Sequence, residues 1–313
     1  MNLSTQYLGL HLKNPIVAGA SPLSFSLEMA KRLEEAGAAA IVMHSLFEEQ
    51  LSGLPQQSLA PYHFTPEQYI QHLRALKREL SIPVIASLNS VREGAWVRYA
   101  QYMQDAGADA LEINLYYLPR TDNESSSIVE QRAFQIVRLV RQFVSIPIAV
   151  KLSPWITSLP QFAHRLEEAG ASGLVLFNRF VQPDIDIKTF KTIPKLDLTT
   201  PEDLLIRLHW LAALHSRTRL DLSASGGVHG ANDVIKAIVA GARSVQLVST
   251  LMLNGPDHIK TLLEGLKDWL TLNNFPSVDE ARTRVDTLRR DADKATGREN
   301  YIRIIHNWER QHS

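Results

Sequence analysis

Apolar residues fall along the chain in short, nearly unbroken runs, and between them the hydrophobic spacing is helical. Eight runs stand out, at 15–20, 39–45, 83–89, 110–115, 148–153, 173–178, 220–226 and 244–250. Continuous apolar runs of this length suit strands buried on both faces, and helical crossovers between them make the strands parallel. The punctuation repeats as well. Ala-Gly-Ala occurs at Ala36, Ala106, Ala169 and Ala240, each time between a helix-patterned segment and the next apolar run. A glycine just past the last helical turn re-aims the chain into a strand. A second repeat, Ser-Ile-Pro at Ser81 and Ser145, follows the helical patterns at 66–80 and 128–144. Eight strand–helix units predict a single α/β domain, a (β/α)8 TIM barrel, over residues 1–275. The first thirteen residues read as a hairpin closing the N-terminal end of that barrel.

Residues 276–313 form a charged extension, with 15 of 38 residues Lys, Arg, Asp or Glu against 21% in the whole chain. Tyr301, Ile304, Ile305 and Trp308 predict an amphipathic helix that docks on the barrel and is a candidate homodimer surface. The segment 116–127, with Pro119, Asn123 and Ser125–Ser127, reads as a long mobile loop.

Composition narrows the function. Lys plus Arg and Asp plus Glu each total 33, so no excess charge points to a nucleic acid or an acidic membrane. No apolar run approaches the roughly 20 residues of a membrane span, and no basic-then-apolar leader opens the chain. A cytoplasmic enzyme acting on a small-molecule substrate is expected. Cysteine is absent. That removes disulfides, thiolate nucleophiles and cysteine-held iron–sulfur clusters. No His-Glu-x-x-His pair or other metal-ligand spacing is present, so no metal is expected.

In barrels of this kind the chemistry sits at the C-terminal strand ends. Those ends carry Ala18-Gly19-Ala20, His44-Ser45, Ser87 and Asn89, Asn114, Lys151 and Ser153, Asn178, Ser225-Gly226-Gly227, and Val248-Ser249-Thr250. Polar groups closing apolar strands need partners, since an unpaired buried one costs about 1–3 kcal/mol. Lys151, inside Ile148–Ser153, is the sharpest of them. It suits either a Schiff-base nucleophile or a cation beside an anionic ligand. Gly226-Gly227 precedes a helical pattern at 231–240, where free amides can approach a phosphate. Ser249-Thr250 supplies the facing wall, at the usual anion site of such barrels.

Together these residues resemble the dihydroorotate dehydrogenase family of FMN barrels, its soluble class 1 branch in particular. The likeness runs from about Leu3 to Pro256. It rests on Asn14-Pro15 with Gly19-Ala20, Glu112-Ile113-Asn114, Val150-Lys151-Leu152-Ser153-Pro154, Leu176-Phe177-Asn178, Gly226-Gly227-Val228, Ala240-Gly241-Ala242, Val245–Ser249 and Gly255-Pro256. The resemblance implies an FMN-dependent oxidoreductase of pyrimidine biosynthesis that acts on a CH–CH bond, with dihydroorotate or a related cyclic compound as donor. It implies that Gly226, Gly227, Val248, Ser249 and Thr250 hold the FMN phosphate and that Ala18, Gly19 and Ala20 lie against the flavin. Lys151 would face the flavin's pyrimidine end, and Asn114, Asn178 and Asn89 would grip the substrate ring.

Three positions depart from the family pattern. His44, beside Ser45, replaces a flavin-contacting lysine. Tyr117 takes the place of the Cys or Ser base, and a phenol's ordinary pKa of about 10 makes it a poor base at neutral pH. The segment between Glu49 and Thr65 is shorter than the family's loop. Two other functions are open at this point: a barrel lyase or isomerase with Lys151 as Schiff base, and a flavin subunit that relays electrons. Without cysteine, an electron exit through an iron–sulfur centre requires a separate acceptor protein.

Overall fold

The structure, a computed structural model, describes residues 1–51, 64–89, 94, 97–119, 121–286 and 301–307. The chain opens with a hairpin, β1 (Thr5–Tyr7) and β2 (Leu10–Leu12), and enters the barrel at β3 (Ile16–Ala18). The barrel continues through β4 (Ala40–Val42), a short added strand β5 (Leu46–Phe47), β6 (Val84–Asn89), β7 (Ala110–Asn114), β8 (Ile148–Leu152) and β9 (Gly173–Leu176). A surface hairpin, β10 (Asp184–Asp186) and β11 (Lys191–Ile193), precedes β12 (Asp221–Ser225) and β13 (Ser244–Leu247). Eight strands pair in parallel around the ring, β13 returns to β3, and β4 pairs with β6. All eight apolar runs are therefore strands of one closed (β/α)8 barrel.

The helices lie outside this ring: α1 (Leu27–Glu35), α2 (Pro66–Glu79), α3 (Val97–Asp105), α4 (Ser126–Phe143), α5 (Leu159–Glu168), α6 (Leu204–Leu214), α7 (Ala231–Val239), α8 (Ser249–Asn254), α9 (His258–Leu272) and α10 (Val278–Arg282). The two sequence repeats have one physical origin. Each Ala-Gly-Ala glycine sits at positive φ, from +97° at Gly107 to +111° at Gly37 and Gly241. Two residues before three of these motifs, a side-chain oxygen receives the amides at the foot of the neighbouring unit. Glu34 accepts from Ser81 and Ile82, Gln104 from Ser145 and Ile146, and Glu167 from Arg219. Each repeat thus caps a helix and pins the start of the strand beside it.

The core divides into two clusters. A large outer one fills the space between strands and helices. A smaller one fills the barrel, where Val17, Val42, Ile85, Ala110, Ala149 and Val175 meet Tyr7, Leu8 and Leu12 of the hairpin. The hairpin plugs the N-terminal end, as its sequence implies, and Asp221 fastens it by accepting the Leu8 amide at 2.7 Å. The hairpin thus fills the barrel interior from below and leaves its C-terminal mouth open.

Several boundaries differ from the sequence reading. Ser125–Ser127 belong not to a mobile loop but to the start of α4, where Ser125 Oγ accepts the Ile128 amide and caps the helix. Ser249 and Thr250 open α8 rather than ending a strand. From the C-terminal extension, Val278 and Ala281 of α10 are buried against the barrel, whereas Tyr301, Ile304 and Ile305 are exposed. Trp308 and most of the shortened segment between Glu49 and Thr65 lie outside the described residues.

One arginine ties α10 to the base of the barrel. Buried Arg282 donates from Nε to the Ala242 carbonyl at 2.9 Å and from a terminal nitrogen to Thr5 Oγ1 at 2.9 Å, and it pairs with Asp279. Arg282→Met should lower unfolding free energy by about 1.5–3 kcal/mol, the worth of hydrogen bonds to a buried charge. Urea denaturation measures this; a change within about 0.5 kcal/mol would show the clamp to be dispensable.

Candidate functional site

Strand register sets the site. Asn89 stands opposite Asn114, and Asn114 opposite Lys151, so β6, β7 and β8 carry the three side chains in one lateral row. Asn178, just past β9, closes the row: its Nδ2 donates to Asn114 Oδ1 at 2.7 Å. These four residues, with Ala20, His44 and Ser45, line a mouth cavity of about 520 Å³. Ser45 Oγ meets Ser87 Oγ at 2.8 Å. The His44 ring packs among Phe25, Phe64 and Tyr69 with centroids 4.4–5.1 Å away, which makes it part of an aromatic wall.

Beneath the row lies a buried charge pair. Glu112 precedes Asn114 by two residues and therefore faces the same side of β7, one layer deeper. Its carboxylate accepts from Gln246 Nε2 at 2.6 Å and lies 3.9 Å from Lys151 Nζ. Lys151 Nζ in turn donates to Gln246 Oε1 at 3.4 Å. Glu112 is 0% exposed and Lys151 5%. Burial pushes the Lys151 ammonium below its usual range, Glu112 acts to hold it charged, and Arg207 acts to depress it. Among the described residues the long bond to Gln246 is the ammonium's one hydrogen bond, so most of its three donors remain available to a ligand.

A second cluster forms beside the ends of β12 and β13. Gly226 and Gly227 hold φ of +86° and +80°. A Cβ on Gly227 would fall 2.3 Å from the Leu204 backbone nitrogen, so close packing against α6 already demands glycine there. The Gly227 amide donates to Thr199 Oγ1 at 3.0 Å, and Thr199 donates its own amide to Ser249 Oγ at 3.0 Å. Thr250 Oγ1 accepts from Asn254 within α8. On the opposite wall Gly19 lets β3 approach β13; a Cβ at that position would lie 2.8 Å from a Val248 methyl. Ala18 is buried at the end of β3.

The structure thus brings Ala20, His44, Ser45, Asn89, Asn114, Lys151 and Asn178 around one cavity. Gly226, Gly227 and Ser249 gather around Thr199 beside it. Tyr117 is not brought to either group. It lines a neighbouring cavity of about 310 Å³ with Leu118, Glu124, Arg132 and Trp155. Its hydroxyl donates to Glu124, and the Arg132 guanidinium sits 4.9 Å from its ring centroid and bonds Glu124 at 2.5 Å. Of the two tyrosines it is Tyr116 that lines the mouth, stacked on Phe180 at 4.2 Å with its hydroxyl accepting the Val181 amide. The two tyrosines are adjacent in sequence, and Phe180 and the Val181 amide hold Tyr116, not Tyr117, on the mouth side.

Sequence reasoning missed Gln246, Thr199 and Arg207 as members of the site and named Glu112 only as part of a motif. One of these carried a signal. Glu112 is a carboxylate inside an apolar strand, and Lys151 is the one cation in the eight described barrel strands, so burial requires the two to pair. Thr199 and Arg207 offered none, because neither interrupts an apolar strand and their contacts with Ser249, Gly227 and Ser225 are made only in the fold.

Comparison with known proteins adds an independent finding. The family model for dihydroorotate dehydrogenase matches residues 63–270. The catalytic subunit of dihydroorotate dehydrogenase B (NAD(+)) from Caldicellulosiruptor saccharolyticus is 25% identical, over 90% of this chain and 98% of the relative. Dihydroorotate dehydrogenase A (fumarate) from Limosilactobacillus reuteri is 28% identical, over 78% and 86%. The corresponding B-type subunit of Methanothermobacter thermautotrophicus is 24% identical, over 89% and 96%.

The buried pair is open to a direct test. Lys151→Met leaves Glu112 without its counter-ion, and Glu112→Gln leaves Lys151 without one. Each single change should cost about 3–5 kcal/mol in denaturant stability, and the double variant should recover much of that loss. Additive losses would mean that the two groups do not interact.

Proposed function

The chain belongs to the dihydroorotate dehydrogenase family, and from that premise we propose that it is an FMN-dependent oxidoreductase acting on a CH–CH bond of a small cyclic substrate at the mouth cavity. The observation that carries the proposal is the Lys151–Glu112–Gln246 network beneath a row of three asparagines. It places a buried cation with free donors under amides that can read the polar edge of a planar ring.

The residues present fit FMN. Ala18, Gly19 and Ala20 offer a wall without bulky side chains. Gly226 and Gly227 provide a turn whose backbone a phosphate can approach, and Ser249 faces it across Thr199. Bound there, FMN would supply the two-electron acceptor for the substrate's CH–CH bond. Lys151 would place its charge where electron density accumulates, and Glu112 would keep that lysine protonated despite its burial. Asn89, Asn114 and Asn178 would orient the substrate ring. The Asn114–Asn178 bond pre-sets two of these amides and reduces the ordering needed on binding. His44, where the family has a lysine, contributes its ring to the aromatic wall.

In sequence Tyr117 takes the position of the family's base, but its hydroxyl is directed to Glu124. A base so engaged accepts a substrate proton poorly, so dihydroorotate should be a slow donor. The relatives' names divide between fumarate and NAD(+) as acceptor, and a B-type arrangement here would deliver electrons to a separate protein.

Anaerobic stopped-flow reduction tests the function. Dihydroorotate should bleach the bound flavin, at a rate roughly 10²- to 10⁴-fold below that of an enzyme with a positioned base. Lys151→Met should lower the flavin's reduction potential while leaving FMN bound. Protein that stays colourless after FMN addition, and in which borohydride reduces an imine formed between Lys151 and an added phosphorylated carbonyl compound to a stable amine, would instead establish the Schiff-base alternative.

A further inference from the structure

Arg207 is a buried cation outside the Lys151–Glu112–Gln246 network. It lies on α6, 5% exposed, and its Nε donates to the carbonyl of Ser225 at 2.5 Å. One terminal nitrogen donates to the Asp203 carbonyl. The other points at the Gly226–Gly227 turn: a Cβ on Gly226 would lie 2.9 Å from it and 3.1 Å from the Thr199 methyl. The nearby carboxylate of Asp203 pairs with Arg179 at 3.1 Å, and among the described residues no acidic side chain lies within ion-pair distance of Arg207. Burial depresses its pKa to about 10, which still leaves it charged at neutral pH. Its field also reaches Lys151. The region from the turn to the mouth floor therefore holds two buried cations, Arg207 and Lys151, against one buried carboxylate, Glu112. A guanidinium held by two carbonyl dipoles, with its third nitrogen turned to a glycine pair, is prepared for an anion from outside the chain.

We propose that Arg207 is the side-chain anchor for the cofactor's phosphate, adding a charge-assisted contact to the amides of the Gly226–Gly227 turn and making the site selective for a phosphorylated flavin. This inference rests on the FMN reading above. Thr199 completes the cradle: its hydroxyl now occupies the Gly227 amide and meets Ser249 Oγ at 2.9 Å, so an arriving phosphate oxygen exchanges with a group of similar hydrogen-bonding character. Arg207 brings charge and Thr199 brings neutral hydrogen bonding. Only the first discriminates strongly between FMN and riboflavin, which differ by the phosphate alone.

The experiment compares the two flavins on the full chain stripped of cofactor, using fluorescence quenching with the unmodified protein, Arg207→Met and Arg207→Gln. The glutamine variant keeps a donor for the Ser225 carbonyl and guards against a folding defect. The unmodified protein should prefer FMN to riboflavin. Both variants should lose FMN affinity by roughly ten- to a hundredfold and leave riboflavin affinity unchanged, the loss expected when one hydrogen bond to a charged group is removed. Equal losses for the two flavins, or unchanged FMN affinity in both variants, would overturn the assignment of Arg207 and leave the FMN reading standing. Failure of the unmodified protein to bind either flavin would overturn both.

Discussion

A lysine and a glutamate buried side by side beneath the mouth of the barrel are the constraint on which the rest of the site depends. Neither could be buried alone, since an isolated charge in such surroundings is removed by solvation or by a change of protonation. Their separation of 3.9 Å, bridged by Gln246, lets the pair stay charged without consuming the ammonium's donors. The barrel makes this affordable. Parallel register fixes Asn114 beside Lys151, the pleat places Glu112 one layer lower, and β13 supplies Gln246 from across the ring. The hairpin around Tyr7 packs into the opposite end of the barrel, below the charge pair.

From that floor the site is layered. Asparagines stand above the charges, an aromatic wall containing His44 flanks them, and a glycine turn lies to one side with its own buried cation. Charge is thus provided at two places that a phosphorylated, electron-accepting ring would need it, and neutral amides stand between. Under the proposed function, Lys151 would face the redox end of the ligand and Arg207 the end that only binds.

The architecture was legible in the sequence because the barrel is made of repeats. Each unit carries the same kind of apolar run, four of them carry the same glycine stop, and eight such runs leave little freedom in topology. Lys151 was legible for a related reason, as a charge inside an apolar strand. Tyr117 was not. Neighbouring residues after a strand end point to different sides, and the direction is set by Phe180 and the Val181 amide, which arrive from a segment more than sixty residues away. Arg207 and Thr199 were invisible for the same cause. On a helix, Arg207 reads as an ordinary surface charge until the fold turns it toward Gly226. The exposed Tyr301, Ile304 and Ile305 show the converse, an apolar spacing that the described structure does not bury.

The central claim is that the cavity above Lys151 is where the redox cofactor sits. A crystal structure of the protein grown with FMN tests it most directly. The account predicts the isoalloxazine ring against Ala18–Ala20 with one edge at Lys151, and the phosphate at the Gly226–Gly227 turn. Flavin lodged instead in the neighbouring cavity beside Tyr117, or no flavin in the mouth at saturating FMN, would contradict it.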